Sequence, residues 1–162
     1  MTRLKSFPPI ADRRSRVLIL GSMPGPEALR RRQYYGFPGN QFWRLAADLL
    51  KSPKPESYSA KVRMLRRGGI ALWDTIAICT RPGALDSRIR GARPNDIPDL
   101  LKRFPGIRAV FVNGRTAEAM LGRHHAGRLG VPVAYLPSSS PANAGISYSG
   151  KLRQWSRIKK WL

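Results

Sequence analysis

Apolar residues along the chain alternate between short continuous runs, typical of buried strands, and runs at three- and four-residue spacing, typical of helices. Four segments have the first pattern, and glycine, proline or polar residues bound each of them. These predicted strands are residues 17–20, 70–73, 107–112 and 131–136.

The helical pattern appears between and after these segments. Asn40 stands at an N-cap position, and the apolar residues that follow it to Leu50 fall on one helical face. A second helix is predicted for residues 57–67, where Gly68 and Gly69 end it. Further helices are predicted from Asp96 through residue 104, for residues 115–121, and at the carboxyl end, where Leu152, Trp155, Ile158 and Trp161 have the same spacing.

Strands that alternate with helices predict an α/β fold, a three-layer α/β/α arrangement around a central, mostly parallel sheet. A length of 162 residues fits one domain, residues 1–162, and we find neither a repeat nor a linker. Residues 77–95 are rich in Arg, Gly and Pro, and we interpret them as a long loop that is too polar to pack.

The charge of the chain indicates the kind of partner that it binds. Lys and Arg number 30 against 9 Asp and Glu, which gives a net charge of +21. Such an excess favours a polyanion, with nucleic acid first, over the plainer interpretation of a soluble, Arg-rich surface. A membrane partner is disfavoured, because the sequence contains no long apolar segment. The N-terminus is too polar for a signal peptide, so we expect a cytoplasmic, nucleoid-associated protein.

Cysteine content removes several kinds of site. Cys79 is the single cysteine, so the sequence offers no disulfide, no CxxC motif and no cysteine-ligated iron–sulfur cluster. His124 and His125 are adjacent, a spacing that rarely lets two side chains of a regular element bind one metal. We therefore predict no metal and no cofactor.

Three loops are expected to meet at one edge of the predicted sheet. They are residues 21–40, the segment that begins at Asp74 and Thr75, and residues 137–143, and Asn113 ends a further strand nearby. Parallel strands bring their carboxyl ends to the same edge, where ligands of α/β proteins bind. We place the candidate site there.

Sequence motifs in these loops occur together and in a fixed order. They read GSMPG at residues 21–25, PGNQFW at 38–43, GIALWDT at 69–75 and LPSSSPAN at 136–143. In this combination the chain resembles the uracil-DNA glycosylase superfamily, from residue 16 to about residue 147, and it is most similar to the mismatch-specific and hypoxanthine-DNA glycosylase branches. The resemblance implies a three-layer α/β glycosylase that flips a damaged base out of DNA and hydrolyses its N-glycosidic bond.

The chain departs from the uracil enzymes at two motif positions. Those enzymes have a catalytic Asp after the first Gly and a His in the last motif, where this chain has Ser22 or Met23 and Ser138. Asn40 instead resembles the catalytic Asn of hypoxanthine-type enzymes, and its amide could orient water at C1′ or donate to the leaving base. The pattern therefore favours deaminated bases as substrates, with hypoxanthine first.

The resemblance also implies roles for the residues around Asn40. Phe42 is expected to stack on the flipped base, Tyr35 to form a wall, and Asp74 to bind the base edge. The full set of base-binding candidates is Ser22, Met23, Tyr35, Phe42, Asp74 and Asn113. The insertion loop that would press into the duplex is Ser138, Ser139, Ser140, Pro141, Ala142 and Asn143.

Alternatives remain at the level of residues and of function. Asn40 could be only an N-cap, Asp74 could cap the following loop, and Trp43 rather than Phe42 is assigned to the core. A uracil or G·U/G·T mismatch glycosylase and a non-catalytic nucleic-acid-binding domain are the alternative functions. A nucleotide-binding protein is disfavoured, because GSMPGPEAL is neither a P-loop nor GxGxxG. We expect a monomer acting on double-stranded DNA, with single-stranded DNA as the alternative.

Overall fold

The computed structural model describes residues 2–162, which form two sheets and six α-helices. In chain order these elements are β1 (Arg3–Lys5), β2 (Val17–Gly21), α1 (Pro26–Arg31), α2 (Phe42–Leu49), α3 (Tyr58–Arg67), β3 (Ile70–Asp74), β4 (Ile76–Thr80), β5 (Arg90–Pro94), α4 (Ile97–Arg103), β6 (Ala109–Asn113), α5 (Arg115–His125), β7 (Val133–Leu136) and α6 (Tyr148–Trp155). A 3₁₀ helix, Ser156–Trp161, follows α6 directly.

The central sheet has four parallel strands in the order β3-β2-β6-β7. Every residue of β2 and β3 is buried, as expected for strands with both faces covered. From β2 the chain continues to β3 at one edge of this sheet, whereas from β6 it continues to β7 at the opposite edge. The direction of the connections therefore reverses between the neighbouring strands β2 and β6. Right-handed crossovers in opposite directions put α2 and α3 on one face of the sheet and α5 on the other. The predicted α/β fold with helices around a parallel sheet is therefore confirmed.

Most of the predicted helices are confirmed, and two of them begin at a residue whose side chain caps the helix. The Ser57 hydroxyl accepts a hydrogen bond from Ala60 N–H at 3.1 Å, and the Asp96 carboxylate accepts one from Asp99 N–H at 3.0 Å. Helix α1 was not predicted from the sequence. It has only 6 residues and begins with Pro26 in the first turn, a position where the missing N–H of proline costs nothing.

The interpretation of residues 77–95 as an unpacked loop is wrong. Strands β4 and β5 lie in this segment and form a second, antiparallel sheet with β1, in the order β1-β4-β5. Cys79 and Ile89 pack in a small apolar cluster beneath it. Backbone pairing with the N-terminal strand β1 gives order to a segment whose own side chains are mostly polar, and sequence periodicity does not reveal such pairing.

Candidate active site

A cavity of about 650 Å³ opens at the carboxyl ends of the parallel strands. Gly21 at the end of β2 and Asn113 at the end of β6 both line it, so the cavity lies at the point where the strand connections reverse. Of the predicted site residues, the cavity brings together Ser22, Met23, Tyr35, Asn40, Asp74, Asn113 and all of the loop from Ser138 to Asn143. Phe42 is the predicted site residue that does not line the cavity.

Asn40 is held at the cavity by its own backbone turn. Its Oδ1 accepts a hydrogen bond from Phe42 N–H at 2.9 Å. The N-cap residue of α2 is Gln41, so Asn40 lies one residue before the predicted cap and forms an Asx turn there. Within residues 2–162 the Nδ2 group makes no hydrogen bond, and both of its N–H donors remain free for a ligand.

Phe42 is part of the core, and the prediction that it stacks on a flipped base is wrong. Its side chain is 0% exposed and packs edge-on against Trp155, with ring centroids 5.9 Å apart. Tyr35 covers it, since the two rings stack with centroids 4.2 Å apart and an interplanar angle of 15°. Trp43 is buried as predicted, so both aromatic residues of the motif belong to the core.

Tyr35 is the aromatic residue that separates this core from the cavity. Its backbone has φ of 52°, in the left-handed region that a non-glycine residue enters at a cost of about 1–3 kcal/mol. Its hydroxyl accepts a hydrogen bond from Asn113 Nδ2 at 3.0 Å. Burial raises the pKa of the Tyr35 hydroxyl, so the group stays protonated. The ring is thus fixed by its stack on Phe42 and by Asn113.

Asn113 connects the first loop of the site to the last. Besides Tyr35, its Nδ2 donates to Ser139 Oγ at 2.9 Å, and its Oδ1 accepts from Ser139 N–H at 2.9 Å. Both amide donors are therefore used within the protein, which argues against the prediction that Asn113 binds the base. Ser139 is only 1% exposed and anchors its loop, so the prediction that it presses into the duplex is wrong.

Asp74 lies at the buried end of the cavity. A Cβ atom on Gly21 would lie 2.6 Å from Asp74 Oδ1 and 2.7 Å from Tyr35 Oη, so both groups sit directly over this glycine. Asp74 Oδ2 is buried and has no hydrogen-bond partner among residues 2–162. Burial, and secondarily the negative charge of Asp86, raise the pKa of the Asp74 carboxyl to about 7. The group is therefore able to carry a proton at neutral pH.

The turn at the end of β2 packs on the segment that sequence analysis interpreted as a loop. Ser22 Oγ donates to Asp86 Oδ2 at 2.7 Å, and Arg81 Nη2 donates to Pro24 O at 2.8 Å. The Arg81 side chain is 1% exposed, and its Nη1 lies 4.0 Å from Asp86 Oδ1. Both residues line the cavity. The Met23 side chain is buried in the cluster with Cys79, so we assign it to packing.

Two loops from opposite ends of the chain are joined beside the cavity. Gln41 N–H donates to Ser139 O at 3.0 Å. Lys151, on α6, donates from Nζ to Gln41 Oε1 at 2.9 Å and to Ser140 O at 3.4 Å. The Lys151 side chain is buried, and this burial lowers its pKa. No sequence pattern had indicated Lys151, because its partners are distant in sequence.

Other features of the described residues do not compete with this site. A second cavity of about 510 Å³ lies between α5 and β7 and contains none of the predicted site residues. Residues 2–162 contain no group of three His, Cys, Asp or Glu side chains placed to bind a metal. No helix in this range has the length and apolar content to cross a membrane.

Comparison with known families identifies the superfamily of the chain. The model of the uracil DNA glycosylase superfamily matches residues 8–161, and the chain belongs to this superfamily. It is a DNA glycosylase, a hydrolase that acts on N-glycosyl bonds.

Individual relatives are similar over nearly their whole lengths. A protein of Methanosarcina acetivorans named hypoxanthine DNA glycosylase is 35% identical over 158 residues, 95% of this chain and 96% of the relative. A protein of the same name from Methanosarcina barkeri is 34% identical over 143 residues, 86% of this chain and 87% of the relative. The solution NMR structure of a candidate uracil DNA glycosylase from M. acetivorans aligns with a TM-score of 0.82 and 34% identity, covering 97% of this chain and 96% of that one.

Proposed function

We propose that this DNA glycosylase excises hypoxanthine from DNA, with Asn40 as the catalytic residue. The observation that carries the proposal is the free Nδ2 donor of Asn40 in a cavity that also contains Tyr35 and Asp74. Neither an Asp after the first glycine nor a His in the last motif is present. The names of both Methanosarcina relatives support the same substrate.

Binding of the flipped base uses Tyr35 and Asp74. The Tyr35 ring is fixed from behind by Phe42 and offers an aromatic surface on which a purine stacks. Asp74 in its protonated form donates a hydrogen bond to the carbonyl oxygen of the lactam that deamination creates. Because this donor is buried, the hydrogen bond strengthens as negative charge develops on that oxygen.

Bond cleavage separates charge between the sugar and the base. The C1′–N9 bond breaks and its electron pair leaves with the purine. Water adds to the oxocarbenium-like C1′, and the proton that this water loses neutralises the purine anion, so the products are a C1′ hydroxyl and neutral hypoxanthine. Asn40 does not titrate, so it acts as a hydrogen-bond donor rather than as a base. Its Oδ1 is engaged by Phe42 N–H, and we assign its Nδ2 to the leaving purine.

Contact with DNA follows from the charge around the cavity. The net charge of +21 attracts the phosphate backbone, and Arg115 lies at the cavity with its guanidinium 3.8 Å from the centre of the Tyr135 ring. The exposed part of the last loop, Pro141 and Ala142, contacts the strand beside the flipped nucleotide. We further propose that the protein acts as a monomer on double-stranded DNA, since its charge repels other copies.

The test uses end-labelled duplexes that carry inosine, uracil, xanthine or a G·T mismatch, with alkali to cleave abasic sites. We expect cleavage chiefly at inosine and no cleavage by Asn40→Ala, which still binds the inosine duplex. Cleavage chiefly at uracil or G·T would replace the substrate and leave the chemistry in place. Equal cleavage by the wild type and Asn40→Ala would refute the role of Asn40.

A further inference from the structure

Leu85 is the most exposed of the large apolar side chains of residues 2–162. It is 59% exposed and lies on the rim of the cavity, in the segment between β4 and β5. Removing an exposed leucine from water is favourable, and the chain that presents this leucine at its cavity has a net charge of +21. Its position indicates a partner with an anionic exterior and an apolar interior. Duplex DNA has both, because its phosphates are outside and its stacked bases are inside.

The loop expected to enter the duplex has no comparable side chain. Its exposed tip consists of Pro141 and Ala142, and neither side chain extends far from the backbone. Asn143 donates from Nδ2 to Ser138 O at 3.3 Å and is therefore held within the loop. The space left by a nucleotide that has turned out of the stack is the size of a base, and this loop alone fills little of it.

Leu85 is presented by a segment that is fastened on both sides. Immediately after it, Asp86 accepts the hydrogen bond from Ser22 Oγ, and before it the buried Arg81 donates to Gly83 O at 3.1 Å and to Pro24 O. These contacts join the segment to the turn at the end of β2. A side chain that enters a base stack needs such support, because a mobile one would lose more conformational entropy on insertion.

We propose that Leu85 is the wedge residue that enters the base stack and occupies the place of the flipped nucleotide. The inference rests on the proposed excision of a flipped base from duplex DNA, and it moves the wedge role from the last loop to the segment between β4 and β5. Unstacking one base step costs a few kcal/mol, and apolar wedges such as leucine offset that cost in other DNA-binding proteins.

Phe37 is the competing candidate on the same rim. It is 50% exposed, but its ring lies against the chain at Gly39, where a Cβ atom would be 2.6 Å from Phe37 Cε1. That packing directs the ring along its own loop. Leu85 is 59% exposed and belongs to neither apolar cluster of the described residues, so most of its side chain is available to the duplex.

The experiment compares single-turnover excision of hypoxanthine from double-stranded and single-stranded inosine oligonucleotides. A single strand has no partner strand to stack against, so it needs no wedge. We expect Leu85→Ala to lower the rate on the duplex about tenfold or more and to leave the rate on the single strand within about twofold. Leu85→Met, which keeps a long apolar side chain, restores the duplex rate.

The matched control is Val133→Ala, which removes an exposed apolar side chain, 48% exposed, beside the other cavity. It leaves both rates unchanged. A 2-aminopurine placed next to the inosine reports unstacking on binding, and its fluorescence rise is smaller with Leu85→Ala than with the wild type.

Three outcomes overturn the proposal: an unchanged duplex rate, an equal loss on both substrates, or a duplex-specific loss with Phe37→Ala instead of Leu85→Ala. A wild type that releases no hypoxanthine contradicts the proposed substrate, not the wedge. In that case the double-stranded and single-stranded oligonucleotides are made with the deaminated base that the wild type does release. The same three outcomes then overturn the proposal.

Discussion

The amide of Asn113 donates a hydrogen bond to the hydroxyl of Tyr35 at 3.0 Å, across a separation of 78 residues in the sequence. The same amide exchanges two hydrogen bonds with Ser139. The end of one central strand thus sets both the aromatic wall of the cavity and the loop that borders it. Activity should depend on Asn113 although it does not contact the base.

Replacing Asn113 with alanine should lower both activity and stability. It leaves the Tyr35 hydroxyl and the Ser139 N–H without partners, and such buried unpaired groups cost about 1–3 kcal/mol. We expect kcat/KM on inosine duplex to fall about tenfold or more and the midpoint of urea unfolding to decrease. Tyr35→Phe removes only one of these bonds and serves as the control, with a smaller loss. A double variant with fully additive losses would contradict the coupling between the two residues.

Asp74 should give the enzyme a pH dependence that Asp74→Asn removes. With a pKa of about 7, the carboxyl loses its proton and its ability to donate as the pH rises through neutrality. We expect kcat/KM of the wild type to fall above about pH 7. The amide of Asp74→Asn still donates at every pH, so this variant keeps most of the activity with a flat profile, whereas Asp74→Ala loses it. An inactive Asp74→Asn would instead identify Asp74 as a base.

The same carboxyl should make the wild type less stable as the pH rises. Its pKa is raised from 3.8 to about 7 in the folded state, so the folded protein binds more protons than the unfolded chain between these values. The free energy of unfolding therefore falls from about pH 4 to pH 7, by about 4 kcal/mol at most. Urea unfolding of Asp74→Asn should lack this slope. An identical slope in both proteins would rule out Asp74 as its source.

Asn40→Asp separates the two chemical roles that an amide can have. The carboxylate keeps the acceptor for Phe42 N–H and removes the Nδ2 donor. If Asn40 donates to the leaving base, Asn40→Asp loses about 100-fold or more in single-turnover rate while its stability stays close to wild type. Asn40→Ala loses the rate and also the hydrogen bond to the helix start. A fully active Asn40→Asp would show that the oxygen of residue 40 positions water.

Gly21→Ala should close the buried end of the cavity. The new methyl group would lie within 2.7 Å of Asp74 Oδ1 and Tyr35 Oη, and the Tyr35 side chain is held in place by Phe42 and Asn113. We expect a loss of activity with an increased KM, because the base-binding groups are displaced. Gly25→Ala is the matched control, since a Cβ atom there meets nothing within 4 Å. Equal activity of the two variants would contradict the position of the base.

The parallel sheet could be predicted because its strands are continuous apolar runs with clear ends. The second sheet could not. Strand β5 reads RGARP and is largely exposed, and its order comes from pairing with β4, which in turn pairs with β1 near the N-terminus. Such long-range pairing leaves no periodic signal in the paired segment.

Within the site, sequence analysis identified Asn40, Asp74 and the wall residue Tyr35, but it assigned to Phe42 a stacking surface that Tyr35 covers. This arrangement depends on the left-handed backbone of Tyr35, which puts its ring over Phe42, and sequence spacing does not reveal it. Arg81 and Asp86 were missed for a related reason. Arg81 donates a hydrogen bond to Pro24, 57 residues away in the sequence, and Asp86 accepts one from Ser22, 64 residues away.

Lys151 imposes an order on the assembly of the site during synthesis. Its ammonium group joins Gln41 to the backbone of Ser140 and adds to the hydrogen bond from Gln41 N–H to Ser139 O, so the set of contacts between the two loops is complete only when α6 has formed. On the ribosome, a nascent chain that ends before α6 already contains every residue that lines the cavity, yet lacks the contacts of Lys151. In a truncated product of that kind, the direct hydrogen bond from Gln41 N–H to Ser139 O would join the two loops without the support of Lys151. Completion of the carboxyl-terminal helix is therefore the last step that fixes these two loops beside the cavity.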